Sequence, residues 1–169
     1  MDPQKDGFLA AYDAYADALY RHSYFRVFSK EKAEEFVQEA YFRAWQYIAD
    51  ESHKPVENMR AFLYRILNNL IIDASRKKKE ESLDAMLEIS PALEPSDNGA
   101  RGIEQEAMFH DVLRVVQLLN EEDRELITYR YVDDLDPKDI AEIYETNANN
   151  ISVRLNRAVA KLKQELNPN

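Results

Sequence analysis

The amino-acid sequence predicts an all-α protein. Three glycines in 169 residues are too few for a fold rich in hairpins and bulges, which use glycine at their turns. Leu, Ala, Glu, Arg and Lys, the residues that helices favour, are abundant. Apolar residues also recur at intervals of three and four, the spacing of a buried helix face. A chain of this length forms one ordinary domain or two small ones.

Composition restricts the compartment and the chemistry. The chain has no cysteine, which excludes disulfides, thiolate zinc sites and cysteine nucleophiles and agrees with a cytoplasmic location. The first residues lack the order of a signal peptide, and no apolar run reaches the roughly 18–20 residues that cross a bilayer. We therefore expect a soluble protein without membrane insertion. A net charge of −10 argues against a generic nucleic-acid binder, whose affinity comes largely from neutralised phosphates.

Three helices are predicted in the first half of the chain. The first has an apolar stripe at steps of four and three that consists of Phe8, Tyr12, Tyr15, Leu19 and His22. The second covers residues 33–48, AEEFVQEAYFRAWQYI, after Ser29 as N-cap, and its predicted buried face consists of Ala33, Phe36, Val37, Ala40, Tyr41, Ala44, Trp45 and Ile48. Residues 49–58 form a loop that contains Pro55. The third helix runs from Met59 to about Lys79.

The second helix has another face that raises a functional question. Glu35, Gln38, Glu39, Phe42 and Gln46 also share helical spacing. A face that only meets water has no need of a Phe beside two carboxylates and two amides. This face is therefore either solvated or the docking surface for a partner.

Residues 80–103 are predicted to be a flexible acidic linker. They carry six acidic residues, few large apolar residues, two prolines and two glycines, a composition typical of interdomain tethers. The sequence thus predicts two small helical domains, residues 1–79 and 104–169, on either side of this linker.

The second domain ends in a predicted helix-turn-helix. Asn120 is a candidate cap for one helix, and Asp136 with Pro137 begins a short one that ends near Glu145. The turn TNANN precedes a last helix, ISVRLNRAVAKLKQEL. Its predicted buried stripe consists of Ile151, Leu155, Ala158, Val159, Leu162 and Leu166. Two helices joined by a few polar residues are the pattern of a helix-turn-helix.

Three groups of polar residues are candidates for nucleic-acid contact. Asn150, Arg154, Arg157 and Lys161 form one stripe on the last helix, and Asn149 lies beside its start; the alternative is a solvated helix that closes a bundle. The run ASRKKK ends the third helix, where cations also complement the helix dipole. In the same helix, Asn68 and Asn69 indicate either a polar partner or an interhelical hydrogen bond.

Catalytic interpretations find little support. The three histidines are far apart in sequence without metal-ligand spacing, phosphate-binding glycine loops are absent, and no carboxylate lies in an apolar run that would raise its pKa. We expect no enzymatic activity, no metal and no cofactor.

With these motifs in order, the sequence resembles bacterial sigma-70 family factors of the extracytoplasmic-function (ECF) type. AEEFVQEAYFRAW is similar to the family's AED-x-x-QE-x-F-x-x-x-W motif, and MRAFLYRILNNLIIDASRKKK to its WLYRIA-x-N-x-x-x-D-x-x-R-R motif. DLDPKDIAEIYETNANNISVRLNRAVAKLK resembles the helix-turn-helix of region 4. The resemblance implies two helical domains, region 2 with three to four helices and region 4, joined by a linker that is either an acidic nucleic-acid mimic or a solvated tether.

The resemblance also implies partners and contact residues. Core RNA polymerase (β′ clamp helices and β flap) and promoter DNA are the expected partners, and an anti-sigma factor is common in the family. The polymerase contacts would be Glu35, Gln38, Glu39 and Phe42. The −10 contacts would be Asn69, Arg76, Lys77 and Lys78, with loop 49–58 cradling a flipped base. The −35 contacts would be Asn149, Asn150, Arg154, Arg157 and Lys161.

The sequence departs from the family pattern at some positions, and two other functions stay open beside the main interpretation. Phe62 stands where Trp is common, and Glu145 stands where a turn Gly is frequent, which suggests a tighter or differently angled helix-turn-helix. The main interpretation is a promoter-specificity subunit that recognises −10 and −35 elements and helps to melt the −10 region. The alternatives are a free-standing helix-turn-helix regulator and a helical adaptor bound to another protein.

Overall fold

The computed structural model describes residues 2–85 and 103–167, and this part of the chain is helical without β-strands. The prediction of an all-α fold is confirmed. The helices are α1 (Pro3–Val27), α2 (Lys30–Ala49), α3 (Met59–Ala85), α4 (Ile103–Leu118), α5 (Glu121–Ile127), α6 (Pro137–Tyr144) and α7 (Ala148–Leu166). A π-helical segment, Thr128–Val132, continues from α5.

The predicted helix starts are confirmed by their caps. The side chains of Ser29, Asn120 and Asp136 each accept a hydrogen bond from the backbone N–H three residues later, which satisfies a donor that the first helical turn leaves free. The start of α7 differs from the predicted one. Asn147 caps this helix, so the turn before it is shorter than TNANN.

Helix α3 continues to Ala85, six residues beyond the predicted end at Lys79. The residues after Lys79 begin with two glutamates, which are good helix formers and lie four residues from Arg76 and Lys77. The acidic residues that follow Lys79 therefore continue α3 and do not end it. The rest of the predicted linker, residues 86–102, lies outside the described residues.

The turn of the helix-turn-helix adopts the conformation that glycine usually provides. Glu145 has φ 56° and ψ 43°, and its N–H donates to the carbonyl oxygen of Ala141. The left-handed backbone conformation costs a residue with a Cβ about 1–2 kcal/mol. Even so, Glu145 ends α6 with the αL cap that Gly usually forms. Glu145 therefore takes the glycine-like geometry itself, and a tighter or differently angled helix-turn-helix stays a prediction.

The two halves of the chain pack against one another, an arrangement that the sequence did not predict. Helices α1, α2 and α3 form one bundle. Helix α6 contacts α3, and the π-helical segment contacts α1. Tyr64 and Leu67 of α3 share a continuous core with Leu126, Tyr129 and Ile140 of the second half. Each of these side chains is at most 2% exposed.

Three residues predicted to be buried are exposed. Trp45 is 39% exposed although its ring lies 5.4 Å from that of Phe8, and Tyr12 is 51% exposed beside Tyr41. Both rings lie on the margin between α1 and α2, where one side packs and the other meets water. Leu166, 53% exposed, is the last residue of α7 and extends beyond the core.

Within residues 2–85 and 103–167, no helix has the length and apolar character needed to cross a bilayer.

Candidate functional site

Helix α2 separates a buried face from an exposed one, as its spacing predicted. Ala33, Ala40, Tyr41, Ala44 and Ile48 are buried. Glu35, Gln38, Glu39 and Phe42 are all exposed, Phe42 by 56%. We call these four residues the α2 outer face. The Glu39 carboxylate accepts a hydrogen bond from Arg43 at 2.9 Å, so one end of the face is partly neutralised. An exposed Phe beside acidic groups is suited to a partner with both basic and apolar contacts.

The two adjacent asparagines of α3 have different surroundings. Asn68 is buried and accepts a hydrogen bond from Arg26 at 2.9 Å, which is the interhelical role considered for one of the pair. Asn69 is exposed, as are Arg76, Lys77 and Lys78 toward the end of the helix. The structure therefore leaves this predicted −10 set accessible from solvent, and its contact with DNA stays a prediction.

The loop between α2 and α3 is held by contacts near both of its ends. The ring of His53 stacks on Tyr47 at 4.2 Å, and Gln4 exchanges two hydrogen bonds with the backbone of Val56. Asn58 accepts from the N–H of Ala61 at the start of α3. A depression beside this loop is lined by Tyr15, Tyr47, residues 54–62, Arg65 and Glu142. Aromatic walls with flanking cations are the surroundings in which a nucleic-acid base can stack.

Helix α7 presents part of its predicted stripe to solvent. Asn149, Asn150 and Arg157 are exposed. Arg154 is half-buried with its guanidinium 5.1 Å from the ring centre of Tyr144. Lys161 donates to the carboxylate of Asp123 at 2.9 Å. The first three residues and Lys161, whose side chain is 54% exposed, are thus accessible from solvent, whereas Arg154 packs against Tyr144.

A buried polar network lies where the two halves meet, and sequence reasoning missed it. His22 Nδ1 lies 2.6 Å from Asp133 Oδ2, and its Nε2 lies 3.3 Å from Arg26 Nη1. The side chains of His22 and Asp133 are fully buried. Arg26 also reaches Asn68 and, at 3.6 Å each, the carboxylates of Glu121 and Glu125. The sequence signal was the pair His22 and Arg26, four residues apart, beside the apolar stripe of α1.

Burial determines the charge of His22. It lowers the pKa of this imidazole and outweighs the opposing attraction of Asp133, while Arg26 adds to the lowering. The ring is therefore neutral, donates its Nδ1–H to Asp133 and accepts at Nε2 from Arg26. The rings of Tyr64 and Tyr129 flank it at 5.5 and 4.4 Å.

Glu125 corrects the expectation that no carboxylate has a raised pKa. It is 3% exposed, and burial raises its pKa although Arg26 and a hydrogen bond from Asn68 act in the opposite direction. Its carboxylate also accepts a hydrogen bond from the Tyr144 hydroxyl. Its local sequence, EEDRELI, gave no sign of this because the burial comes from α1, α3 and α6 rather than from its neighbours in sequence.

Acidification is expected to destabilise the fold through His22. Because its folded pKa lies below the ordinary 6.5, the unfolded chain binds more protons as the pH falls below that value. The free energy of unfolding therefore decreases by up to about 1.4 kcal/mol per pH unit until the folded pKa is reached. Urea unfolding of the parent and of His22→Gln, at about pH 7.5 and in steps below 6.5, measures this.

The comparison of the parent with His22→Gln isolates the contribution of His22 to the pH dependence of stability. Glu125, whose pKa is raised, has the opposite effect, since it favours the folded state as the pH falls through its raised pKa. The contribution of Glu125 to the free energy of unfolding is common to the parent and His22→Gln, so it cancels when the two are subtracted. Equal pH dependence in the parent and His22→Gln would contradict a neutral, buried His22.

The chain belongs to the sigma-70 family. Sigma-70 region 2 matches residues 11–81 and sigma-70 region 4 matches residues 109–162, together well over half of the chain and in the family's order. The resemblance inferred from the motifs is thus confirmed. Region 2 corresponds to α1–α3, and region 4 covers most of the second half with its helix-turn-helix, α6–α7.

Two relatives match nearly the whole chain. The ECF RNA polymerase sigma factor BldN of Streptomyces coelicolor is 29% identical over 167 residues, which cover 96% of this chain and 61% of BldN. The ECF RNA polymerase sigma factor SigW of Bacillus subtilis is 29% identical over 170 residues, which cover 96% of this chain and 90% of SigW. The chain therefore spans less than two thirds of BldN and most of SigW.

Two solved structures share the fold. The sigma factor RpoE from Bartonella quintana, in complex with the anti-sigma factor NepR, has a TM-score of 0.72 at 25% identity and matches over 95% of this chain and 96% of its own. CnrH, in complex with the cytosolic domain of CnrY, has a TM-score of 0.69 at 18% identity, over 98% and 90% of the two chains.

Proposed function

We propose that this chain is a promoter-specificity subunit, which binds core RNA polymerase, recognises the −10 and −35 elements of a promoter and helps to melt the −10 region. Its membership of the sigma-70 family, with regions 2 and 4 in order, carries the proposal. The relatives BldN and SigW are described as RNA polymerase sigma factors of the ECF type, which supports the same function here.

The α2 outer face is the proposed contact with core polymerase. Its four residues match the family motif and are exposed, so a partner can reach them without rearrangement of region 2. The β′ clamp helices are the expected partner of this face and the β flap that of region 4. An anti-sigma factor is a further expected partner, since RpoE of Bartonella quintana was solved in complex with one.

The proposed DNA contacts divide between the two regions. Asn69, Arg76, Lys77 and Lys78 would meet the −10 strand, and Asn149, Asn150 and Arg157 the −35 major groove, with Arg154 and Lys161 near phosphates. The net charge of −10 makes weak affinity for DNA in isolation reasonable, because a subunit held in place by polymerase needs few cations of its own.

Reconstitution with core RNA polymerase tests the proposal. The purified chain is expected to bind core enzyme at low salt and to give discrete run-off transcripts from a cognate promoter found among genomic fragments. Replacement of the −35 element in that promoter should reduce the transcript strongly. Core enzyme alone is the control. The proposal fails when no association with core enzyme is detected at low salt.

The same preparations separate the alternatives. A free-standing regulator would shift duplex DNA without polymerase, with an affinity that falls steeply as salt rises. A helical adaptor would bind neither polymerase nor DNA.

A further inference from the structure

Helix α7 turns one of its faces away from the fold. The helix packs on α4, α5 and α6, and Ile151, Leu155 and Ala158 on its inner side belong to the apolar cores. With 3.6 residues per turn, the residues on the opposite side of the helix fall within an arc of about 100°. We call this side the α7 outer face, and its exposed residues are Asn149, Val153, Asn156, Arg157 and Ala160.

Val153 lies near the centre of the α7 outer face and is 41% exposed. A single exposed valine is ordinary on a protein surface, so its exposure alone indicates nothing. Its position is informative, because a β-branched residue is not favoured on a solvated helix turn. This valine also stands one turn after Asn149 and one turn before Arg157. An apolar group is thus placed in the middle of a polar face.

The polar side chains around Val153 are not used within the fold. Among residues 2–85 and 103–167, no hydrogen bond or ion pair involves the side chains of Asn149, Asn150 or Arg157. Asn147 differs, since its side chain accepts the N–H of Asn150 at 2.8 Å and caps the helix. The amides and the guanidinium beside Val153 are therefore available to a ligand.

The major groove of DNA contains one apolar group that a valine can recognise. Each base pair presents its own set of donors and acceptors there, and thymine adds its C5-methyl group. A valine side chain that faced the acceptors of adenine or guanine would remove their water without replacing its hydrogen bonds. Against thymine, the two apolar groups instead exclude water together. A valine can thus favour thymine and disfavour the other bases at one position.

The spacing on α7 matches the spacing of base pairs. Asn149 and Arg157 each lie four residues from Val153, or about 6 Å along the helix axis. Successive base pairs are about 3.4 Å apart, so side chains one turn apart reach base pairs one or two steps apart. Because asparagine pairs with adenine and arginine with guanine, the α7 outer face offers a short series of base contacts with an apolar one in the middle.

We propose that Val153 is a specificity-determining residue of region 4, which recognises one thymine of the −35 element by contact with its C5-methyl group. The inference rests on the proposed function, since it requires α7 to enter the major groove of that element. The predicted −35 contacts are all polar or charged, so Val153 adds an apolar contact to them.

Replacement of thymine with deoxyuridine tests the contact, because deoxyuridine keeps the hydrogen-bonding groups of thymine and lacks only the methyl. The complex of the full chain with core RNA polymerase is titrated with fluorescein-labelled duplexes that carry the cognate promoter. Each thymine of the −35 element, on either strand, is replaced in turn. One replacement is expected to weaken binding about fourfold, as the loss of one buried methyl group predicts, while the others have little effect.

Two valine variants assign the methyl contact to a side chain. In complexes that contain Val153→Ser, the same deoxyuridine replacement should leave the affinity almost unchanged, since the apolar partner of the methyl is absent. Val112→Ser is the matched control, because Val112 on α4 is 45% exposed and lies outside the α7 outer face. This control should keep the fourfold sensitivity. Sensitivity that persists in Val153→Ser would assign the methyl to another residue and overturn the proposal.

The same titrations distinguish failure of this inference from failure of the proposed function. A parent chain that binds core enzyme and transcribes from the unmodified promoter, but senses no thymine methyl, would reject the role of Val153 alone. Failure of the parent to associate with core enzyme would reject the proposed function and this inference with it. The Tm of Val153→Ser should match that of the parent, since its side chain is exposed.

Discussion

Replacing Glu39 with lysine is expected to lower the affinity for core RNA polymerase by about 2 kcal/mol or more, roughly thirtyfold. Glu39 lies on the α2 outer face beside Gln38 and Phe42 and is one of the proposed polymerase contacts. Reversal of its charge both removes the attraction to a basic partner and places like charges together on docking. Fluorescence titration of labelled chain with core enzyme measures the loss.

The fold should survive this change. Glu39 is exposed, and its pair with Arg43 joins two side chains that are each about half exposed, a kind of pair typically worth under about 1 kcal/mol. The Tm of Glu39→Lys should therefore stay close to that of the parent. Asp13→Lys, with the same charge change on the exposed side of α1, is the matched control. Equal losses of affinity in Glu39→Lys and Asp13→Lys would contradict a specific docking face.

Replacing Arg26 with methionine is expected to lower the free energy of unfolding by about 3–5 kcal/mol. Arg26 is 4% exposed and contacts His22 and Asn68, with Glu125 at ion-pair distance. Methionine keeps much of the apolar stem but leaves buried Glu125 without its cation. Urea unfolding of the variant, followed by circular dichroism, measures the change.

A double variant separates the charge from the packing. Arg26→Met with Glu125→Gln should recover part of the lost stability, because the uncompensated carboxylate is then absent. Arg43→Met, which breaks an exposed pair, should cost less than about 1 kcal/mol. A loss in Arg26→Met as small as that in Arg43→Met would show that the network at the junction contributes little.

Local features were predictable from the sequence because they depend on neighbouring residues. The caps Ser29, Asn120 and Asp136 and the two faces of α2 follow from side-chain chemistry and helical spacing. The same reasoning failed for Trp45, since spacing places it near the buried face but does not tell how far α1 extends over it.

The contacts between the halves were not predictable in this way. His22 and Asp133 are 111 residues apart, and neither has a local pattern that selects the other. The burial of Glu125 likewise comes from distant helices. For the binding residues, exposure of Asn69, Asn149, Asn150 and Arg157 agrees with the predicted roles, whereas the engagement of Lys161 with Asp123 could be found only from the packing of α5 on α7.

The buried polar network between the two halves has a consequence for the chain during its synthesis. At a translation rate of about 5–20 residues per second, Asp133 leaves the ribosome roughly ten seconds after His22. During that interval the nascent region 2 lacks the carboxylates of Asp133 and Glu125, which His22 and Arg26 contact in the finished fold. Water can hydrate these polar groups until the second half is synthesised. An entirely apolar surface exposed for the same time would promote aggregation. The polar side chains that join the two halves in the finished fold thus also keep the first half soluble until the second half has been synthesised.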